Sequence, residues 1–401
     1  MKEIKKLYLF TFFRSFIVFA SISIAFYSSN GLSYFQIMLL QSLYAITTAI
    51  MEIPSGILSD MLGRKKTLLI GTLSFIFAYF LGTLGTNIIP FAIMQIFAAI
   101  GQSCYSGTFL ALMYEDIKNA TDIHKSTNVI FANMQMINLV SALSASLVSV
   151  FFVKYISMRA TYLITALMYC ITLVINLMLH ENRKMVEPVN KIDYSLKSYI
   201  LIFMDSLHVI AKSGLICLFL DMIMFACFAN SLLYLQQPLL IDRSFPVTYF
   251  GVVTVIIALL TTFALKFVGF IEKKIKNLNI FLKTLTVIVI IMLISNLLLK
   301  NSLWVIFTFI ILSIVIRIRE IFITTRVNQV IGDSTRATVM SIVSAIEMLG
   351  FAVLGSIVGY CEDKSVNFAL ILTSSVIVIV YGIFWTISWK INKEKKDSLS
   401  C

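Results

Sequence analysis

The stretch GILSDMLGRKK, Gly56–Lys66, sets an acid, two glycines and three consecutive cations directly behind a long apolar segment. Charge gathered so tightly in a greasy chain marks the point where it leaves a hydrophobic environment and turns back. The surrounding 401 residues are 59% hydrophobic and only 13% charged, with a mean hydropathy of +0.94. A soluble fold of this size could not cover its surface with so few charges, so the composition places the chain in a membrane. One helical span needs about 20 apolar residues. The sequence divides into twelve of them: 7–28, 33–56, 67–86, 88–114, 128–152, 159–180, 214–238, 248–270, 280–299, 302–325, 338–360 and 366–389. The apolar run behind Lys6 is too long for a signal segment and is predicted to be the first span. Cys104, Cys170, Cys217, Cys227, Cys361 and Cys401 show no paired spacing. Neither a disulfide framework nor a metal site is expected.

The cations are distributed unevenly. With a cytoplasmic N-terminus, the inner segments carry 22 Lys/Arg, while the outer loops carry only Lys154, Arg159, Arg243, Lys300 and Lys364. That asymmetry predicts both termini inside. The net charge of +12 is then a topology signal beside anionic lipid, and it does not indicate a nucleic-acid partner. The expected organisation is a six-helix bundle over 1–180, a cytoplasmic linker over 181–213, a second bundle over 214–389 and a tail over 390–401. Within the linker, Leu196, Tyr199, Ile200, Phe203 and Leu207 fall at helical intervals and predict an amphipathic helix. The halves echo each other: LSYF (Leu32–Phe35) and VTYF (Val247–Phe250) open equivalent spans, and AITTA (Ala45–Ala49) matches LTTFA (Leu260–Ala264). Ser33 and Thr248 are each suited to cap a helix N-terminus. The pattern supports a duplicated fold.

In the opening stretch, Gly56 permits close helix approach and Gly63 permits a turn that a Cβ would resist. Asp60 suits the positive end of a helix dipole, and Arg64, Lys65 and Lys66 suit lipid phosphates or neighbouring acids. The spacing Gly56-x-x-x-Asp60-x-x-Gly63-Arg64-Lys65 resembles the loop 2–3 signature of the major facilitator superfamily. Met61 departs from it, standing where that family often places a cation. With twelve spans and a central cytoplasmic loop, the resemblance covers essentially the whole chain. It implies an all-α integral membrane fold of two six-helix bundles related by a pseudo-two-fold axis, working by alternating access. It also implies that Gly56, Asp60, Gly63, Arg64 and Lys65 form a gating latch between the bundles, and that spans one, four, seven and ten line the central cavity. The second half holds only a degenerate echo of the motif, EKKIK (Glu272–Lys276).

Ionisable groups inside spans are costly and mark function or structural pairing. Span one carries Arg14, with Ser21 and Ser28 at seven-residue steps. Span four carries Gln95, Gln102 and Ser106, reaching Glu115 and Asp116. Span seven carries Asp221, Asn230, Tyr234 and Gln237, and span ten carries Ser313, Arg317, Glu320, Thr324 and Asn328. Candidate cavity residues are therefore Arg14, Ser21, Gln102, Asp221, Asn230, Tyr234, Gln237, Arg317, Glu320 and Thr324. Arg319, Arg326, Glu115 and Asp116 read as structural or interfacial charges. Glu347, roughly 13 Å into span eleven, is either a proton-coupling carboxylate or a static partner of Arg317. Proton-driven drug antiporters of the superfamily usually carry Arg-x-x-x-Gly-x-Gly in span four and a Gly-Pro signature in span five. Here Gln95 and Ala99 stand in the first motif and the second is missing.

No Walker motif, zinc-binding pair or nucleophile elbow is present. No cofactor and no enzymatic activity are expected. The leading expectation is a secondary transporter that exports an amphipathic or drug-like molecule with proton coupling. Its expected partners are the substrate, protons and membrane lipids, and it is expected to act as a monomer. Uptake of a sugar, peptide or other polar nutrient stays open, as does a receptor that kept the fold without transport. Lys-, Ile- and Asn-rich usage points to an AT-rich bacterial genome and a cytoplasmic membrane.

Overall fold

The computed structural model describes residues 2–119, 127–179, 216–330 and 333–399. The predicted linker helix, with His180, falls outside them. The described residues form helices joined by short connections. Eleven of these helical segments are long and apolar enough to cross a membrane.

The first unit contains the described residues up to 179 together with Pro246–Ala258. Its helices are α1 (Lys2–Arg14), α2 (Ser23–Ser29), α3 (Tyr34–Leu62), α4 (Arg64–Leu84), α5 (Ile88–Asn119), α6 (Thr127–Tyr155) and α7 (Met158–Leu177). Lipid tails are as apolar as the side chains, so close packing rather than hydrophobic burial drives association here. Gly71 on α4 and Gly101 on α5 meet reciprocally. A Cβ on Gly71 would stand 3.1 Å from the Gly101 carbonyl, and one on Gly101 would stand 2.8 Å from the Phe75 ring. Around that crossing lies an aromatic core in which Phe75 contacts Tyr79, Tyr105 and Tyr169 at centroid separations of 5.6, 5.4 and 4.7 Å. Gly251, from the Pro246–Ala258 segment, packs directly on the Ser146 carbonyl of α6.

The second unit has α8 (Ile216–Tyr234), α9 (Gln236–Asp242), the later part of α10 (Phe250–Leu265), α11 (Val268–Lys274), α12 (Leu278–Leu298), α13 (Ser302–Val330), α14 (Asp333–Lys364) and α15 (Val366–Leu399). Its core includes Phe219, Leu282, Ile323, Val327, Val339 and Val343. The 29-residue α13 holds four charges, Arg317, Arg319, Glu320 and Arg326, and is not among the eleven apolar segments.

Three expectations change. The connection at the opening stretch was expected to run about ten residues, but α3 ends at Leu62 and α4 begins at Arg64. Gly63 alone makes the turn, at φ 93° and ψ 157°, a region that essentially only glycine occupies. It closes both helices, donating to the Ser59 carbonyl and accepting from the Thr67 amide. The first span is not one helix, since α1 stops at Arg14 and a 3-10 turn (Val18–Ile22) leads into α2. Finally, Ser33 caps α3 in a full capping box with Gln36, but Thr248 caps nothing. It sits inside a 3-10 turn whose N-cap is Pro246.

Candidate functional site

The break in the first span builds a site in the first unit. Unwound backbone inside a membrane must find partners, and α6 and α7 supply them. The Val18 amide donates to Thr165 Oγ1 at 3.0 Å, Ser15 Oγ donates to Asn138 Oδ1 at 2.5 Å, and Ser141 Oγ donates to the Phe12 carbonyl at 2.5 Å. The break leaves Arg14 at the end of α1, beside a cavity of ≈ 250 Å³. Gln102 and Ser106 from α5 line it with Gln135 and Asn138 from α6. Its apolar wall includes Phe109, Met113, Phe131 and Met134. Thr11 Oγ1, also on the wall, is buried without a hydrogen-bond partner.

The Arg14 guanidinium lies 4.7 Å from the Tyr105 ring centre and 5.6 Å from that of Phe109, in cation–π range of both. Among the described residues it pairs with no carboxylate. Tyr105 is itself held in place. Its hydroxyl is 2.6 Å from Thr72 Oγ1, to which Asn176 Nδ2 donates at 3.3 Å. A buried polar chain from α4 and α7 thus fixes the ring on which the cation rests. Ser21 does not join this site. The 3-10 turn cancels the seven-residue helical step from Arg14, and Ser21 is buried with its Oγ donating to Ser149 Oγ at 3.1 Å. Gln95 is also buried.

Two cations of the opening stretch bind backbone within the same unit. Arg64 Nη1 donates to the Ala111 carbonyl at 2.7 Å, and Lys65 Nζ donates to the Leu177 carbonyl at 2.7 Å. Leu177 ends α7, where a cation complements the negative end of the helix dipole. Asp60 is exposed. A Cβ built on Gly56 meets nothing within 4 Å, so in this conformation that glycine is not a place of close helix approach. Glu115 and Asp116 lie near the end of α5, and their side chains are outside the described set.

In the second unit the polar residues of the spans separate onto different faces. Asp221 and Asn230, nine residues apart on α8, are about 180° apart around a helix. Asn230 is exposed, whereas Asp221 is buried in an ion pair with Arg319 at 2.5 Å. Arg319 is 1% exposed. It donates to Thr286 Oγ1 at 2.8 Å and to the Leu282 carbonyl, and stands 4.2 Å over the Phe225 ring. The opposite face of α13 carries Arg317 and Glu320, paired at 2.9 Å and more than half exposed, with Thr324 half-buried one turn on. Glu347 is half-buried. Arg317's ion pair runs to Glu320. Tyr234 stacks on Phe351 at 5.5 Å. Gln237 lies beyond a break at Leu235, on α9.

Three contributors escaped the sequence reading: Tyr105, Gln135 and Asn138. Tyr105 is three residues beyond Gln102 on α5, and Gln135 and Asn138 form an i, i+3 amide pair on α6, so helical spacing carried a signal for each. Among the described residues no group of His, Cys, Asp and Glu could hold a metal ion.

The fold and these buried polar groups define an all-helical, multi-pass membrane protein. The model of the Major Facilitator Superfamily matches residues 7–355, and the chain belongs to that superfamily, whose members are transporters and not enzymes. An uncharacterized transporter of Buchnera aphidicola subsp. Acyrthosiphon pisum (strain APS) is 25% identical over 333 residues, 80% of this chain and 79% of that one. Among solved structures, the nucleoside transporter NupG superposes with a TM-score of 0.76 at 14% identity, over 96% of this chain and 99% of that one. The D-xylose-proton symporter gives 0.71 at 13% identity, over 95% and 96%. At such identities the structural likeness shows the fold.

Proposed function

We propose that this protein is a proton-coupled secondary transporter of the cytoplasmic membrane. It exports a small amphipathic organic molecule by alternating access, seating the molecule's acidic or carbonyl end on Arg14. The observation that carries this reading is the cation itself. An arginine within a span is costly unless it is paired or faces water or a ligand. Arg14 has no carboxylate partner among the described residues and lines a cavity. Cation–π contact leaves its N–H fork available to oxygen acceptors, and Phe109, Phe131, Met113 and Met134 suit an apolar body. Exposed charges at mid-helix avoid lipid, so the Arg317–Glu320 face of α13 is read as lining an aqueous path. Glu347, half-buried within the spanning helix α14, is the proposed proton carrier.

The amides Gln102, Gln135 and Asn138 favour a second reading, uptake of a polar nutrient. The superposing structures include transporters named for nucleosides and D-xylose. A deletion strain screened for growth inhibition and uptake against a panel of organic acids, sugars and nucleosides separates the two. Hits carried into proteoliposomes under an imposed pH gradient give the direction. Arg14→Gln should abolish flux of an acidic hit while Arg14→Lys keeps a fraction of it. Wild-type flux in Arg14→Gln would remove the seat from Arg14.

A further inference from the structure

A second cavity, of ≈ 660 Å³, lies where the inner ends of α8, α12, α13 and α15 meet. The charge distribution assigns this end to the cytoplasm. Among the described lining residues, four cations, Lys276, Lys283, Arg319 and Arg326, stand against one carboxylate, that of Asp221. Asp221 is committed to Arg319 at the buried floor. Three cations therefore remain uncompensated among the described lining residues. They come from separate elements: Lys276 from the α11–α12 connection, Lys283 from α12 and Arg326 from α13. Concentrating like charge in one concavity is unfavourable unless an anion or the surrounding solution compensates it. The opposite wall is Phe384 and Trp385, and Lys283 Nζ lies 5.4 Å from the Trp385 ring. Tryptophan with lysine at the end of a span is the residue pairing found at headgroup level. Ser388 Oγ, on the same wall, is buried without a partner.

We propose that this pocket binds a phosphate group, carried either by an anionic phospholipid of the inner leaflet or by a soluble phosphate. Basic pockets between spanning helices on the cytoplasmic side are suited to phosphorylated headgroups. A flexible lysine ammonium serves as a point charge for phosphate, and an arginine fork can bind it bidentately. The site is separate from the Arg14 cavity and does not depend on the proposed transport function.

The test uses purified full-length protein in a neutral detergent, stripped of lipid. Native mass spectrometry compares retention of phosphatidylglycerol with that of phosphatidylcholine, and thermal unfolding is followed with and without millimolar inorganic phosphate. Wild type should retain phosphatidylglycerol preferentially. At roughly a kcal/mol per cation, Lys276→Gln/Lys283→Gln should weaken that retention about thirtyfold. The control Lys273→Gln/Lys274→Gln removes two cations from α11 that do not line the pocket and should change retention less than about twofold. Should the first pair not fold, the exposed Arg326→Gln is read the same way, with about a fivefold loss expected. Protection by inorganic phosphate that disappears in the pocket variant assigns a soluble phosphate. Lipid retention without phosphate protection assigns the headgroup. Equal losses in pocket and control variants overturn the proposal. So does a wild type that neither prefers phosphatidylglycerol nor responds to phosphate.

Discussion

Arg319 and Asp221 form a pair that neither residue could leave alone. Both are buried, and the guanidinium is further tied to Thr286 and the Leu282 carbonyl. Removing one member of such a pair strands the other charge, which typically costs about 3–5 kcal/mol, whereas replacing both with apolar groups can be nearly neutral. Asp221→Asn should therefore lower the melting temperature and folded yield sharply, and Asp221→Leu/Arg319→Met should recover most of the loss. A double variant no more stable than Asp221→Asn would show that the charge is not the cause. The two glycines of the opening stretch are expected to differ just as plainly. Gly63→Ala forces a side chain into φ 93° and should cost about 1–3 kcal/mol. Gly56→Ala, with open space around its Cβ, should leave stability within about 0.5 kcal/mol. If Gly56 closes against another helix during the cycle, flux of the alanine variant will fall while its melting temperature does not.

At the scale of elements, the broken first span depends on side chains lent by its neighbours. Thr165→Val removes the acceptor of the Val18 amide and should cost about 1–3 kcal/mol, the usual penalty for an orphaned buried donor. Thr172→Val loses only a local bond to the Met168 carbonyl and should cost distinctly less. Melting temperatures of the two in one detergent decide the point. The break also shows where reading from sequence stops. Hydropathy located the helices, because apolar runs of this length admit little else in a membrane, and Gly63 announced its turn. No proline or glycine marks Ser15–Ile17, so the interruption was invisible, and with it the true place of Ser21. Arg14 and Gln102 were legible as isolated polar residues in apolar helices. Asn138 and Gln135 were legible only as an i, i+3 amide pair on α6, because what gives them a place in the site is the Ser15 hydroxyl and the cavity opposite, a tertiary fact. Asp221 was grouped with Asn230 by position in the span, although their nine-residue separation already set them on opposite faces.

For the whole molecule, the proposed coupling of substrate movement to proton movement is what experiment can test. Arg317 pairs with Glu320, which leaves Glu347 outside the static pair that was its rival role. Glu347→Gln is therefore expected to fold normally and to keep binding and downhill exchange, while accumulation driven by a pH gradient falls at least about tenfold. Substrate-induced proton movement in proteoliposomes, undiminished in Glu347→Gln, would take coupling away from this residue. Orientation is checked with single cysteines in a cysteine-free background. A thiol at Lys300 should react with an impermeant reagent from outside intact cells, and one at Lys66 only after the membrane is opened, as the cation asymmetry requires.

The turn at Gly63 has a consequence for how this chain can vary among its relatives. Connections between helices are ordinarily where sequences lengthen and shorten, but here one residue joins α3 to α4. A residue added there would advance the following helix by about 100° and 1.5 Å. The stripe of Thr67, Gly71, Phe75 and Ala78 that α4 buries would rotate toward lipid, and the Gly71–Gly101 crossing would be lost. Selection should therefore have held the count constant. Relatives aligned to this chain should run from Tyr34 to Leu84 without insertion or deletion, even where few residues are shared.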